Sequence, residues 1–324
     1  MSTDVTTVRA RPEPIKAVPV RHPGRWVAIA VLAVLVAMFV HLLVTNKAFN
    51  WDFMFQQMFK PPVIDGMLRG TLGMTIAAML IGVALGVVIA VMRLSDNPIL
   101  RSVSWLYTWL FRAVPRVVLL ILFGNLGILW SRIELGVPFD TQFGKLFGIS
   151  DLHLRIGGVN SRDILSGFIA GLLALALSEA AYMAEIVRAG IQSVDPGQAE
   201  AAEALGLARG QALRRIVLPQ AMRVIVPPTG NETIAMLKDT ALLINVPVIY
   251  ELFFQLSAVG NRTFQPVPML IAAFLWYVAL TSVLLIGQYF IERHFSRGYG
   301  QQGRARMKLR GLTAEQGGKG EVVT

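Results

Sequence analysis

Apolar residues run almost unbroken from Trp26 to Val44, and five further apolar stretches follow at roughly 67–92, 115–131, 163–187, 220–243 and 269–291. Each is close to the ~20 residues a helix needs to cross about 30 Å of hydrocarbon, so the pattern predicts six spanning helices. Pro98 to Phe111 reads differently: Trp105 and Trp109 stand at i, i+4 between Arg101 and Arg112, as in a helix lying in the membrane interface. Between the fourth and fifth spans the greasy pattern gives way to "EAAEALGLARGQALRRIVLP", Glu200 to Pro219. Upstream of it Asp195 suits a helix cap, Pro196 the first helical position and Gln198 the spacing of a capping box. Gly206 suits a left-handed stop, and a second short helix is expected to Arg215 before Pro219 opens the next span. The first of these helices has about ten residues and carries Glu200 and Glu203, too short and too polar to cross a bilayer. Its alanines offer a smooth face to another surface and its glutamates a charge for partner arginines or backbone donors. A solvated connector between two spans fits the same residues.

Composition agrees with a membrane chain. Of 324 residues 54% are hydrophobic and 15% charged, well below the roughly 25% charge of soluble domains. The expected class is an all-α integral membrane protein of about six transmembrane helices with a cytoplasmic hairpin. No cysteine is present, which excludes disulfides, thiolate metal sites and cysteine nucleophiles. His22, His41, His153 and His294 lack the spacing of a helical metal pair, and no G-x-x-x-x-G-K-[ST] occurs. No metal, cofactor or intrinsic nucleotide site is therefore expected.

The net charge of +10 points to cytoplasmic loops rather than to nucleic acid, because Lys and Arg concentrate on the inner side of spanning helices. With the N-terminus inside, they fall about three to one on the inner side, which predicts cytoplasmic termini. The hairpin 195–219 is then cytoplasmic, and the Gly-rich segment 132–162 is an external loop, either a plain connector or a surface for an external partner. Residues 1–25 read as a disordered basic tail, 26–63 as an extra uncleaved helix and external segment, and 298–324 as a second disordered tail. The basic run Arg293 to Arg310 suits either anionic headgroups or solvent.

Charges inside spans cost roughly 2.5–3.5 kcal/mol each at the helix centre, so they need partners or a wet path. In the fifth span Pro227, Pro228 and Gly230 are expected to weaken the helix. Beyond them Asn231, Ala235, Lys238 and Leu242 share one stripe, with Glu232 and Asp239 seven apart beside it. Broken helices are where transporters place polar substrates. Lys238 or a restarted helix N-terminus would suit a substrate carboxylate, and Glu232 or Asp239 an ammonium group. Alternatively these charges pair with one another and support packing alone. Glu179, with Ser178 and Tyr182 nearby, suits a cationic amine if it faces the pathway. Glu185 and Arg188 suit a surface pair, and Gly82 with Gly86 a close helix contact.

Glu200-Ala201-Ala202, three residues, Gly206, nine residues, Ile216, one residue and Leu218-Pro219 resemble the EAA signature of permease subunits of ATP-binding-cassette importers. "AYMAEIVRAGIQSV", "PQAMRVIVPPTGNETIAMLKDTALL" and "NPILRSVSWLYTWLFRAVP" are similar to its polar amino-acid branch, over roughly residues 64–297. The resemblance implies a MetI-like permease fold in a bacterial inner membrane, with no enzymatic activity of its own. It implies that Glu200, Ala201, Ala202, Glu203, Gly206, Ile216, Leu218 and Pro219 form a coupling surface for a cytoplasmic ATPase. The implied partners are two ATPases, a second permease subunit, an external solute-binding protein and a polar amino-acid substrate. The sequence departs from the branch where Phe111-Arg112 leads into Ala113-Val114-Pro115-Arg116, for the branch often has Gly-Thr-Pro-Leu there. In the branch the position of Glu179 is often neutral. A secondary transporter independent of any ATPase is the main rival, though no pseudo-symmetric halves are visible. A membrane enzyme lacks a nucleophile constellation or metal-binding acid pair.

Overall fold

The computed structural model describes residues 23–129, 132–136, 139–149, 154–160, 167–246 and 248–295. The tails expected to be disordered, 1–25 and 298–324, lie outside the described residues apart from Pro23 to Arg25. The chain divides into Met1–Phe49 and Asn50–Thr324. In the first unit, helix α1 (Pro23–Thr45) is apolar on every side and buries none of its residues. At 1.5 Å per residue it measures about 35 Å, enough to cross a bilayer.

The second unit begins with α2 (Trp51–Met58) and the long α3 (Pro61–Leu94), whose stretch Gly66–Gly73 is π-helical. Next come α4 (Pro98–Ala113) and α5 (Arg116–Gly124), bent by 99° against each other. Strands β1 (Arg132–Gly136) and β2 (Arg155–Asn160) pair antiparallel, Arg132 opposite Asn160. Helix α6 (Gly167–Gln192) leads into the hairpin of α7 (Pro196–Ala204) and α8 (Arg209–Ala212). A π-helical stretch, Leu213–Val217, joins it to α9 (Leu218–Asp239), and α10 (Leu252–Thr263) and α11 (Pro266–Phe295) complete the unit.

Helices α1, α3, α6 and α11 are long and apolar enough to cross a membrane, and the bent pair α4–α5 adds a fifth candidate. With 22 residues, α9 reaches about 33 Å, but Arg223, Glu232, Lys238 and Asp239 make it too polar to stand alone in lipid. It lies instead against α6 and α11.

Two expectations are corrected. The third span, 115–131, is not one helix: α5 has 9 residues and would cover about 14 Å. The break falls at Asn125, which ends α5 (φ −100°, ψ −1°), while Pro115 before its start drives Val114 to an extended conformation (φ −92°, ψ 129°) and turns α5 away from α4. The 132–162 segment, for which the sequence allows a connector or a partner surface, holds the β1–β2 ribbon and a helix at Asp140–Leu146, with the Asp140 carboxylate accepting a bond from the Leu154 amide at 2.9 Å. The fifth span does not break at Pro227-Pro228; α9 runs through both. Its neighbour α11 braces it there, the Gln288 side-chain amide donating to the Pro227 carbonyl at 2.8 Å. Gly230 makes room for it, as a Cβ there would fall 1.6 Å from Gln288 Oε1.

Helix α6 is the centre of the unit, with Ala170, Ala174, Ala176, Ala180, Ala181 and Ala184 almost wholly buried. Its alanines let α3 come close, and Gly82 and Gly86 complete the fit. A Cβ on Gly86 would lie 2.5 Å from Met183 Cβ, and one on Gly82 2.8 Å from the Glu179 side chain. The small-residue pair read from the sequence is thus a packing seam, and it fixes where Glu179 sits.

Candidate functional site

The hairpin forms largely as its sequence dictates. Asp195 Oδ1 accepts from the Gly197 amide at 2.8 Å, with Pro196 at the first helical position. The capping box is absent: Gln198 Oε1 instead receives the Gln220 side-chain amide at 3.5 Å. Helix α7 ends at Gly206 with φ +75°. There the Leu207 amide bonds the Ala202 carbonyl at 3.1 Å and the Gly206 amide the Glu203 carbonyl at 2.9 Å, a complete Schellman turn. Ala202 is buried, whereas Glu200, Ala201, Glu203, Leu218 and Pro219 are exposed and Ile216 is half-buried. Leu205, at the tip, is 81% exposed. An apolar cleft of about 520 Å³ between the hairpin and the end of α6 is lined by Ile191, Val194, Ala199, Leu207, Leu213 and Val217.

A second constellation lies midway along α6. The turn at Pro115 places Arg116 at the start of α5, facing α6 and α9. Arg116 Nη1 donates to Asp239 Oδ2, and Nη2 to Glu179 Oε2 at 3.0 Å and Glu232 Oε2 at 3.4 Å. The Tyr182 ring lies 4.9 Å from the guanidinium carbon, one turn along α6 from Glu179, and adds a cation–π contact. The cluster is graded in exposure: the Glu179 side chain is fully buried and Arg116 13% exposed, while Glu232 and Asp239 keep 25% and 30%. Glu179 Oε1 and the neighbouring Ser178 Oγ are buried without a hydrogen-bond partner among the described residues. One guanidinium faces three carboxyl groups, so acids outnumber the cation three to one.

Glu179, Glu232 and Asp239 are brought together, then, but by a residue the sequence reading counted as a loop charge. Arg116 stands at the departure Ala113-Val114-Pro115-Arg116, which was the available signal. Lys238 is not the counter-ion: it is exposed and has no carboxylate partner among the described residues, and Asn231 is exposed too. The helical stripe of Asn231 and Lys238 turns one way and that of Glu232 and Asp239 the other. Glu185 and Arg188 form the expected pair at 2.7 Å.

A further buried carboxylate, Glu251, escaped the sequence reading. It caps α10 through the Phe253 and Phe254 amides at 2.7 and 3.0 Å, and accepts from Thr71 Oγ1 at 2.9 Å and the Tyr277 hydroxyl at 2.6 Å. Burial raises its carboxyl above the ordinary value, and the four donors oppose that rise. Both oxygens are engaged, which marks Glu251 as a structural junction of α3, α10 and α11. Glu179, with one oxygen free, is the contrasting case.

Residues 82–297 match the family described as binding-protein-dependent transport system inner membrane component. The arginine transport system permease protein of Corynebacterium glutamicum is 42% identical over 289 residues, 89% of this chain and 85% of that one. A probable glutamine ABC transporter permease protein of Bacillus subtilis is 31% identical over 211 residues, 65% of this chain and 83% of that one. Among solved structures, an amino acid ABC transporter crystallised with histidines is similar with a TM-score of 0.53 and 32% identity, over 72% of this chain and 94% of that one.

Proposed function

The chain belongs to the binding-protein-dependent transport system inner membrane components, and from that membership we propose that it admits a cationic amino acid at the Arg116 cluster. As a member it is a membrane permease subunit of an amino-acid importer and not an enzyme. The observation that carries the finer reading is the charge balance of one guanidinium against three carboxylates. At an effective dielectric near 20, a further anion about 4 Å from one of these carboxylates meets about 4 kcal/mol of repulsion, and a cation gains as much. A substrate with two cationic groups and one carboxylate relieves the excess; glutamate deepens it. The Glu179 oxygen without a partner and the partly exposed Glu232 and Asp239 offer acceptors. The arginine permease of C. glutamicum, at 42% identity, supports the same class.

The hairpin supports the energy-coupling role. Its outward face, Glu200, Ala201, Glu203 and the exposed Leu205, is held by a capped and Schellman-closed helix that no membrane packing requires. We assign it to a cytoplasmic ATPase, with both termini on that side, a second permease subunit beside this one, and an external solute-binding protein delivering the substrate.

Proteoliposomes holding the complete transporter test the substrate class. Radiolabelled arginine and lysine are expected to enter with ATP inside, and Glu179→Gln to cut that uptake at least tenfold while the complex still purifies intact. Glutamate or glutamine uptake matching arginine would overturn the reading, as would normal arginine uptake by Glu179→Gln.

A further inference from the structure

Helix α4 is built inside out. Its buried side carries Ser104 and Thr108, whose hydroxyls bond their own helix carbonyls at Arg101 and Trp105, both at 3.0 Å. Small, self-satisfied residues let the helix lie close on α3 and α6. The opposite side exposes Ile99, Val103, Leu106 and Leu110, between 45% and 70%. One flank between these two faces is a stripe at i, i+4, i+8 and i+11: Arg101, Trp105, Trp109 and Arg112. The two indoles stack with centroids 6.2 Å apart and planes 9° from parallel.

Across from that stripe stand the last turns of α3 and α6, which bring Arg93 and Arg188. Between the two walls lie two adjoining cavities, of about 740 and 440 Å³, that share Arg93, Trp105 and Arg188. Arg188 is neutralised by Glu185. Arg93, Arg101 and Arg112 have no carboxylate partner among the described residues; Arg93 reaches the Arg101 carbonyl at 3.4 Å, and Arg112 lies over the Tyr182 ring at 5.5 Å. The groove therefore carries three uncompensated positive charges and a stacked aromatic pair, beside an exposed aliphatic face.

We propose that this groove holds an anionic phospholipid, its phosphate among Arg93, Arg101 and Arg112 and its acyl chains along Ile99, Val103, Leu106 and Leu110. Indoles and arginines at the level of the headgroups are what such a ligand meets at a membrane interface. The aliphatic face argues for a lipid over a free anion, because inorganic phosphate would leave it uncovered. A zwitterionic lipid would bring a choline cation into a site already positive. The site stands on α4, α3 and α6 alone and is independent of the substrate reading.

Native mass spectrometry of the detergent-purified complete transporter, offered phosphatidylglycerol, phosphatidylcholine or inorganic phosphate, tests it. Phosphatidylglycerol is expected to be retained about tenfold over phosphatidylcholine, with millimolar phosphate unable to displace it. Arg93→Gln with Arg101→Gln should remove the preference, and Arg93→Lys with Arg101→Lys should keep most of it, which separates lost charge from lost fold. Equal retention of the two lipids, an unchanged preference in the glutamine variant, or displacement by phosphate would each overturn the proposal. So would retention only after the ATPase is stripped away, for the ATPase would then be what covers α4.

Discussion

Replacing Arg116 by glutamine should harm folding far more than replacing Glu179 by glutamine, although both remove one charge from the same contact. Arg116 is the only cation among the four groups, and its nitrogens reach Glu179 Oε2 at 3.0 Å and Glu232 Oε2 at 3.4 Å as well as Asp239. Without it three carboxylates face one another, and removing one side of a buried pair costs about 3–5 kcal/mol. Glu179→Gln instead removes one of the three acids and leaves Arg116 with Glu232 and Asp239, and its amide oxygen can still accept from Nη2. The expected cost there is about 1 kcal/mol, a neutral hydrogen bond in place of a charge-assisted one. For a domain of this size 1 kcal/mol moves Tm by about 2–4 °C. Arg116→Gln should therefore lower the unfolding temperature of the detergent-solubilised protein by roughly 6–20 °C, and Glu179→Gln by a few degrees. The double variant removes one unit of each sign and should recover part of the loss. Unfolding followed by intrinsic fluorescence at one fixed scan rate is suitable, since heat unfolding of such a protein is commonly irreversible and only a ranking at constant rate is meaningful. If Arg116→Gln unfolds within a few degrees of Glu179→Gln, or the double variant is worse than either, Arg116 is not the counter-ion of this cluster.

Gly206→Val should strain the left-handed turn at φ +75° by about 1–2 kcal/mol, leave membrane insertion intact and weaken co-purification of the ATPase, as should Glu200→Arg by charge reversal. Gln288→Leu should remove the side-chain bond that braces Pro227 against α11 and cost about 0.5–1.5 kcal/mol in the same unfolding assay. Gly86→Val should push Met183 from the α3–α6 seam and reduce folded yield, whereas Gly287→Ala, which meets nothing within 4 Å, should not. Single cysteines at the exposed positions Glu203 and Lys145 of this cysteine-free chain should react with an impermeant thiol reagent on intact cells at 145 and not at 203; the reverse would overturn the assigned orientation.

What could be read in the sequence was whatever depends on near neighbours in the chain. The Asp195 cap, the stop at Gly206 and the Gly82–Gly86 seam need only a few adjacent positions, and all three appear in the structure. The capping box failed because its partner for Gln198 came from Gln220, in another helix. Hydropathy placed a span at 115–131 since it averages over the break at Asn125. It missed the ribbon because the alternation of Arg132-Ile133-Glu134-Leu135 is only four residues long and that of the second strand is interrupted by Gly157-Gly158. Pro227 and Pro228 were read as a break because the neighbour that braces them, Gln288, lies some sixty residues away. Arg116 was invisible as a counter-ion for the same reason: its carboxylates come from α6 and α9, 63 to 123 positions along the chain.

Helix α9 is where the two candidate sites meet. It follows the hairpin with no intervening loop, the π-helical stretch Leu213–Val217 leading straight into Leu218, and its far part bears Glu232 and Asp239. A push on the hairpin therefore travels along one helix to two of the three carboxylates. Midway, Pro227 and Pro228 withhold the amides that the Arg223 and Val224 carbonyls would otherwise accept from, so the helix is weakest between its two working ends. The Gln288 bond to Pro227 holds that weak point against α11. A rigid rod would move both carboxylates as one with the hairpin; a rod with a soft centre braced from the side permits the cluster end to tilt while Gly230 keeps its seat on Gln288. Glu179 belongs to a different helix, locked to α3 at Gly82, and does not share that freedom. Arg116 bridges the fixed acid and the two that ride on α9, so displacement of α9 changes how many carboxylates the guanidinium can satisfy and how much negative charge is left for a cation.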